Sequence, residues 1–131
     1  MKACKILIID DDEDDAEILE SAFLQSGVNA VHHVKTAMAA FMYLESVEQE
    51  CLPKLVITDN FLPGISGKEF LADLKGMEKY KHIPVVVLSS LKTDEEIKEY
   101  QKMGILDYVV KPSSYDEYVW VAGNIKARIL L

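Results

Sequence analysis

Acidic side chains, a hydroxyl and a lysine directly follow four short apolar runs of this sequence. Six consecutive acids, residues 10–15, follow the run ILII, and Asp59 follows LVIT. Ser89 closes the run PVVVLS, and Lys111 follows DYVV with Pro112 behind it. Carboxylates that lie close together repel one another unless a cation joins them, and a hard divalent metal is the natural partner for oxygen ligands. The pattern therefore predicts a magnesium site that leaves room for a phosphoryl group.

The six acids are flanked by structured segments, unlike a solvated acidic tail. A run of like charges is usually disordered. Here an apolar run precedes the acids and the amphipathic stretch AEILESAFL follows them. This indicates that the acids lie at an open edge of a folded domain. The attraction of acids to a helix N-terminus explains Glu13, Asp14 and Asp15. Asp10 and Asp11 remain as candidate metal ligands, and the role of Asp12 is left open.

Length and composition favour one domain over residues 1–131. Half of the 131 residues are apolar, enough to bury a core without disulfides or structural metals. The formal net charge of −8 disfavours nucleic acid or an anionic membrane as a partner, because both carry the same sign of charge. No run approaches transmembrane length. Cys4 and Cys51 share no metal-ligand spacing, and we expect reduced thiols in a cytoplasmic protein.

Short β-branched runs alternate with segments of helical spacing along the whole chain. Runs of this kind are typical of strands buried on both faces of a parallel sheet. Serine, threonine and glycine residues mark the helix ends, with possible capping boxes at Thr93 with Glu96 and at Ser114 with Glu117. The predicted strands are residues 5–9, 30–34, 54–58, 84–89 and 107–110, and the predicted helices are 13–25, 36–47, 67–75, 93–103 and 114 onward.

Strict strand–helix alternation predicts a doubly wound parallel sheet of the α/β class. Each right-handed crossover lays its helix on one face of the sheet. Ligands of such sheets bind beyond the carboxyl ends of the strands. Since the acids, Ser89 and Lys111 all follow strands, they should meet at that edge.

These motifs, in this order, resemble the receiver domain of two-component response regulators. The matching pieces are IIDD, VITDNFLPGISG, IPVVVLSS and YVVKP, and they span essentially the whole chain. The resemblance implies a flavodoxin-like fold, a five-stranded sheet of order 2-1-3-4-5, and a signalling domain rather than an enzyme. The LPG loop and the lack of an output domain are similar to the single-domain receivers that partner bacterial phytochromes.

The resemblance also implies a metal site and a phosphoryl acceptor. Asp59 matches the residue that accepts a phosphoryl group from a phosphohistidine of a sensor histidine kinase or phosphotransfer protein. Asp11 and Asp59 match the direct ligands of Mg²⁺, and Asp10 matches the acid that acts through water. The backbone carbonyl of Phe61 matches the third protein ligand.

Further residues match the family's switch, and others depart from the family pattern, among them Ser113, where many relatives carry an aromatic. Ser89 and Lys111 match the hydroxyl and lysine that pair with the phosphoryl group, and Tyr108 matches the aromatic that moves inward on activation. The Lys111–Pro112 bond matches a peptide bond that is usually cis. Asn60 departs from the pattern, because an apolar residue is commoner directly after the acceptor.

Two other functions compete with this interpretation. A pseudo-receiver would act as an interaction module without phosphorylation, but it would have lost Asp59 or Lys111. A haloacid-dehalogenase-type phosphatase also uses a strand-end aspartate, but it needs a longer core and a late acidic pair that this sequence does not supply. We therefore expect a phosphorylated receiver that signals by protein contact or by passing the phosphoryl group onward.

The fifth helix carries a second apolar stripe in addition to the one expected to face the sheet. Tyr118, Ala122, Ile125 and Ile129 recur at helical spacing and should be buried. Trp120, Ala127 and Leu131 fall on the opposite side, with Val119 and Leu130 beside them. An apolar outer stripe indicates a contact surface. In receivers this side, formed by the fourth helix, fifth strand and fifth helix, reads phosphorylation and forms homodimers, so we expect self-association or kinase docking through Trp120.

Overall fold

A computed structural model describes residues 4–90 and 93–130, apart from the side chain of Leu130. Five strands form one sheet in which all neighbouring strands run parallel. They are β1 (Ile6–Ile9), β2 (Val31–Val34), β3 (Leu55–Thr58), β4 (Val85–Ser89) and β5 (Asp107–Val110). The spatial order is β2-β1-β3-β4-β5. The predicted fold class and strand order are confirmed.

Three of the five helices begin directly after a residue predicted to start them, at Thr36, Thr93 and Ser114. The five helices are α1 (Glu13–Gln25), α2 (Ala37–Ser46), α3 (Gly67–Lys75), α4 (Asp94–Lys102) and α5 (Tyr115–Ile125), with a 3-10 turn at Gln49–Cys51 and a π-helical turn at Lys126–Leu130. A complete capping box forms at Ser66 with Glu69. The Thr93 hydroxyl accepts from the backbone N–H of Glu96, but the Glu96 carboxylate turns toward Asn60 and Lys68.

The sheet separates two apolar layers, as the alternation of side chains along each strand requires. Leu7 and Ile9 of β1 pack on the side covered by α2, α3 and α4. Ile6 and Ile8 pack on the opposite side, against α1 and α5. Because both faces are covered, the whole of β1 is buried. Full burial of such a side chain contributes about 1.5–3 kcal/mol, so the sheet rigidly positions the residues at its edges.

The position of α5 on the sheet agrees with most of the predicted helical wheel. Tyr118, Ala122 and Ile125 are buried, and Ile129 packs against the same layer. Trp120 is 69% exposed, as the second stripe requires. Val119 was assigned wrongly to that stripe, because it packs against the core beneath α5. Leu131 lies outside the described residues, as does the side chain of Leu130.

A two-stranded hairpin between β3 and α3 was missing from the predicted elements. Phe61–Leu62 pairs with Ile65–Ser66 in antiparallel register around Pro63 and Gly64. Gly64 has a φ of +76°, a conformation that L side chains rarely adopt. Two residues per strand are too few for periodicity to reveal. The hairpin projects from the carboxyl end of β3, beside the predicted site.

Within residues 4–90 and 93–130, no helix combines the length and the apolar character that crossing a bilayer requires.

Candidate functional site

Four predicted site residues meet at the carboxyl edge of the sheet. Asp10 follows β1, Asp59 follows β3, Ser89 ends β4 and Lys111 follows β5. Asp10, Asp59 and Ser89 are all buried polar residues. Burying a charged or polar group is costly unless it is hydrogen-bonded or paired. Their burial together therefore requires partners within the site.

The Lys111 ammonium supplies those partners for the carboxylates. Its Nζ lies 3.0 Å from Asp10 Oδ2, 3.0 Å from Asp59 Oδ2 and 2.8 Å from Asp15 Oδ2. An ammonium has three N–H donors, so these three contacts account for all of them. Lys111 thus joins the first, third and fifth strand ends to helix α1 through one charged atom.

Asp15 is a member of this cluster that sequence reasoning missed. Its position in an acidic helix N-terminus already had a sufficient explanation in the helix dipole. In the structure Asp12 is the N-cap of α1 and accepts from the backbone N–H groups of Asp14 and Asp15. This cap starts the helix directly above the site, so that Asp15 reaches Lys111. The sequence feature that could have revealed Asp15 is its place as an acid in the first turn of a helix that starts at the predicted site.

Backbone groups fix the remaining oxygens of the two buried carboxylates. Asp10 Oδ1 accepts from the N–H of Asp12 at 2.9 Å, and Asp59 Oδ1 accepts from the N–H of Phe61 at 3.3 Å. His33 on the edge strand β2 donates from Nε2 to the carbonyl oxygen of Asp10 at 2.7 Å. Each carboxylate therefore presents one oxygen to the backbone and the other to Lys111.

Burial and pairing shift the proton affinities of this cluster. Desolvation raises the pKa of Asp10, and it outweighs the stabilising hydrogen bonds from Asp12 and Lys111. Burial by itself lowers the pKa of Lys111, but the bonds to Asp15, Asp59 and Asp10 outweigh it and raise the pKa well above its usual range. Lys111 consequently stays charged, whereas ionising the buried Asp10 carboxyl costs free energy.

We expect Asp10→Asn to stabilise the metal-free protein at pH 7. When folding raises the pKa of a carboxyl group, the protein loses stability as the pH rises above the group's pKa in the unfolded chain, about 3.9. A neutral amide does not titrate and avoids that loss. Lys111 keeps Asp15 and Asp59 as partners. Thermal unfolding in chelator should give a higher Tm for the variant at pH 7, with the difference shrinking toward pH 4.

The matched control is Asp14→Asn, which removes an exposed acid from the same helix turn. It should lack the pH-dependent gain. A lower Tm for Asp10→Asn than for the wild type at pH 7 would contradict the cost assigned to ionised Asp10.

Asp11 lies apart from the cluster that Lys111 holds together. Its side chain is exposed and borders a surface pocket with Asp12, Glu13, Asp14 and Lys35. In the ranges that the structure describes, no three Asp, Glu, His or Cys side chains stand in an arrangement that would hold a metal ion. The carboxylates of Asp10 and Asp59 nevertheless suit a hard cation, because carboxylate oxygens are the ligands that such cations prefer and these two groups lie side by side.

The two predicted switch residues, Ser89 and Tyr108, contact each other. Ser89 is fully buried, and its side chain is hydrogen-bonded to Tyr108. Burial raises the pKa of Tyr108, and the bond to Ser89 lowers it in part. The carbonyl oxygen of Ser89 accepts from the N–H of Lys111 at 2.9 Å. The Lys111–Pro112 peptide bond is trans, although the matching bond of the family is usually cis.

A protein-family model for the response regulator receiver domain matches residues 6–121. The chain belongs to this family. As a receiver domain it is a signalling domain of two-component systems.

Curated and solved relatives agree with the family assignment of this receiver domain. It is 30% identical to the two-component response regulator ORR12 of Oryza sativa subsp. japonica, with 86% of this chain and 89% of that protein covered. The phosphorylated cyanobacterial phytochrome response regulator RcpA is 27% identical, with a TM-score of 0.84 over 98% of this chain and 95% of that one. The Mn²⁺-bound response regulator Rcp1, at 23% identity, has the same fold with a TM-score of 0.79 over 93% of this chain and 91% of that chain.

Proposed function

We propose that this receiver domain accepts a phosphoryl group on Asp59 from the phosphohistidine of a sensor histidine kinase or phosphotransfer protein. The observation that carries the proposal is the position of Lys111 Nζ, 3.0 Å from Asp59 Oδ2 at the carboxyl edge of the sheet. The phosphorylated protein then signals by protein contact or passes the phosphoryl group onward.

The chemistry requires a nucleophile and a fixed positive charge. An Asp59 carboxylate oxygen forms the bond to phosphorus while the bond from phosphorus to the donor histidine nitrogen breaks, and the histidine takes up a proton from solvent. Charge develops on the equatorial phosphoryl oxygens, so positioned cations stabilise the transition state. Lys111 stays charged next to the nucleophile, and the buried Ser89 hydroxyl is the hydrogen-bond donor we assign to the bound phosphoryl group.

Magnesium is the cation that we propose for the acidic side of the site. Asp59, the backbone carbonyl of Phe61 and Asp11 would hold it directly and Asp10 through water, once the exposed Asp11 side chain turns toward Asp59. When bound, Mg²⁺ neutralises charge on the phosphoryl oxygens. The response regulator Rcp1, which has the same fold, was solved in a Mn²⁺-bound form, and this supports a divalent cation as the partner of the carboxylates.

Incubation with acetyl phosphate and Mg²⁺, followed by intact mass measurement, tests the proposed function. A phosphoryl-accepting receiver gains one acid-labile phosphoryl group per chain. A pseudo-receiver gains none, and a phosphatase releases inorganic phosphate continuously without retaining the group. Either of the last two results would overturn the proposal.

We propose homodimer formation as a second consequence of phosphorylation. Leu106, Val110 and Trp120 are exposed apolar residues on the side formed by α4, β5 and α5. Sedimentation of the wild type with beryllofluoride and Mg²⁺ should show a dimer, and Trp120→Glu should remain monomeric because its charge would be buried in the interface.

Leu24→Glu is the control for this interface, since it alters a residue that is similarly exposed on α1. It should dimerise as the wild type does. Monomers in all samples would refute the homodimer. The apolar stripe of α5 would then be a contact surface for another protein.

A further inference from the structure

Asn60, the residue that follows the proposed acceptor, is hydrogen-bonded to residues of both α3 and α4. The residue is buried, with 4% of its surface exposed. The amide nitrogen Nδ2 donates to Glu96 Oε2 at 2.9 Å, and the amide oxygen accepts from the hydroxyl of Tyr100. Glu96 and Tyr100 lie one turn apart on α4. A buried polar side chain without partners is costly, so these bonds fix α4 on the acceptor segment.

The backbone around Asn60 is packed as closely as its side chain. Its carbonyl oxygen accepts from the N–H of Gly67, the first residue of α3, at 2.8 Å. A Cβ on Gly67 would lie 2.7 Å from the carbonyl oxygen of Asp59, closer than real Cβ atoms approach, and 3.0 Å from Cα of Asn60, which is a tight contact. The acceptor segment therefore cannot shift without moving its contacts on α3 and α4.

The α4 partners of Asn60 extend this network to the surface and to the switch. Lys68 of α3 forms ion pairs with Glu96 and Glu99 and lies 5.6 Å above the ring of Tyr100. The Tyr100 ring lies 5.7 Å from that of Tyr108. Burial raises the pKa of Tyr100, so its hydroxyl stays protonated and remains the donor to Asn60.

We infer that Asn60 is a positioning residue that couples phosphorylation of Asp59 to helix α4 and to the charged surface of Lys68, Glu96 and Glu99. The inference rests on the proposed function. Phosphorylation changes the bonds of Asp59, and the next residue transmits the change because both ends of its side-chain amide are bonded to α4. An apolar residue at position 60 would fill the same space without these directional bonds.

Amide hydrogen exchange of α4, with and without acetyl phosphate and Mg²⁺, measures the coupling. In the wild type, phosphorylation should change the exchange of residues 94–102. In Asn60→Ala, phosphoryl uptake by intact mass should persist while this change is lost. Each lost hydrogen bond should also speed α4 exchange about two- to tenfold in the unphosphorylated variant.

Tyr100→Phe is the milder second variant, because it keeps the buried ring and removes only the hydroxyl donor. It should weaken the response of α4 without abolishing phosphoryl uptake. Asn124→Ala, at an exposed position of α5, is the matched control and should respond as the wild type does. A merely structural role of Asn60 would alter basal exchange and leave the response to phosphorylation intact.

The possible failures separate the inference from the proposed function. If the wild type takes up no phosphoryl group, both are overturned. If the wild type is phosphorylated and α4 exchange does not change, or if phosphorylated Asn60→Ala responds fully, only the inference is overturned.

Discussion

Asp59→Asn will reduce phosphoryl uptake from acetyl phosphate by at least about a thousandfold, as expected when a covalent nucleophile is removed. The substitution keeps the size of the side chain and its oxygen, which can still accept from the N–H of Phe61. An amide oxygen is a poor nucleophile toward phosphorus at neutral pH. Intact mass measured over time, at saturating Mg²⁺, gives the rate for both proteins.

A control for this prediction must remove a carboxylate of no chemical importance. Asp73 is exposed on α3, and Asp73→Asn should be phosphorylated at the wild-type rate. Far-UV circular dichroism should show the same secondary structure for all three proteins. Uptake of an acid-labile phosphoryl group by Asp59→Asn near the wild-type rate would mean that another side chain is the acceptor.

The positions of the strands and helices were predictable because the relevant signals are local. Buried β-branched runs and capping residues are read from neighbouring positions, and right-handed crossovers then restrict the topology. The meeting of Asp10, Asp59, Ser89 and Lys111 followed from that topology. It needed only the knowledge that all four follow parallel strands, not the distances between them.

The missed features depend on how elements face one another. Asp15 reaches Lys111 because Asp12 starts α1 above the strand ends, and neither sequence spacing nor charge reveals that orientation. Glu96 matched a capping box locally, yet its carboxylate binds Asn60 and Lys68 across the interface with α4. In both cases a sufficient local explanation concealed a tertiary contact. Acids with an adequate helical role therefore require a second assessment once the topology is known.

The acidic cluster contains one cation for several anions, and this imbalance links stability to function. Lys111 balances only part of the charge of Asp10, Asp15 and Asp59. The remaining negative charge favours a metal ion and opposes an anionic phosphoryl donor. A bound divalent cation would reverse that opposition, which explains why metal and phosphoryl group should act together at this edge of the sheet.

Lys111→Met will lower the free energy of unfolding of the metal-free protein by about 3–5 kcal/mol, the cost of leaving buried charges without their partner. Methionine fills a similar volume, so the loss reports charge rather than packing. Lys111 and its two buried partners are each about nine-tenths covered, since their side chains are 12%, 7% and 10% exposed. Urea unfolding in chelator measures the difference.

Lys35→Met is the matched control, because Lys35 pairs with Glu13 where both side chains are more than half exposed, at 56% and 61%. Exposed ion pairs contribute little, so this variant should unfold almost as the wild type does. Mg²⁺ should restore part of the stability of Lys111→Met, because a divalent cation can replace the ammonium among the carboxylates, and it should do so less in Lys35→Met. Equal unfolding free energies for Lys111→Met and Lys35→Met would show that the carboxylates at the sheet edge do not depend on Lys111 for their charge balance.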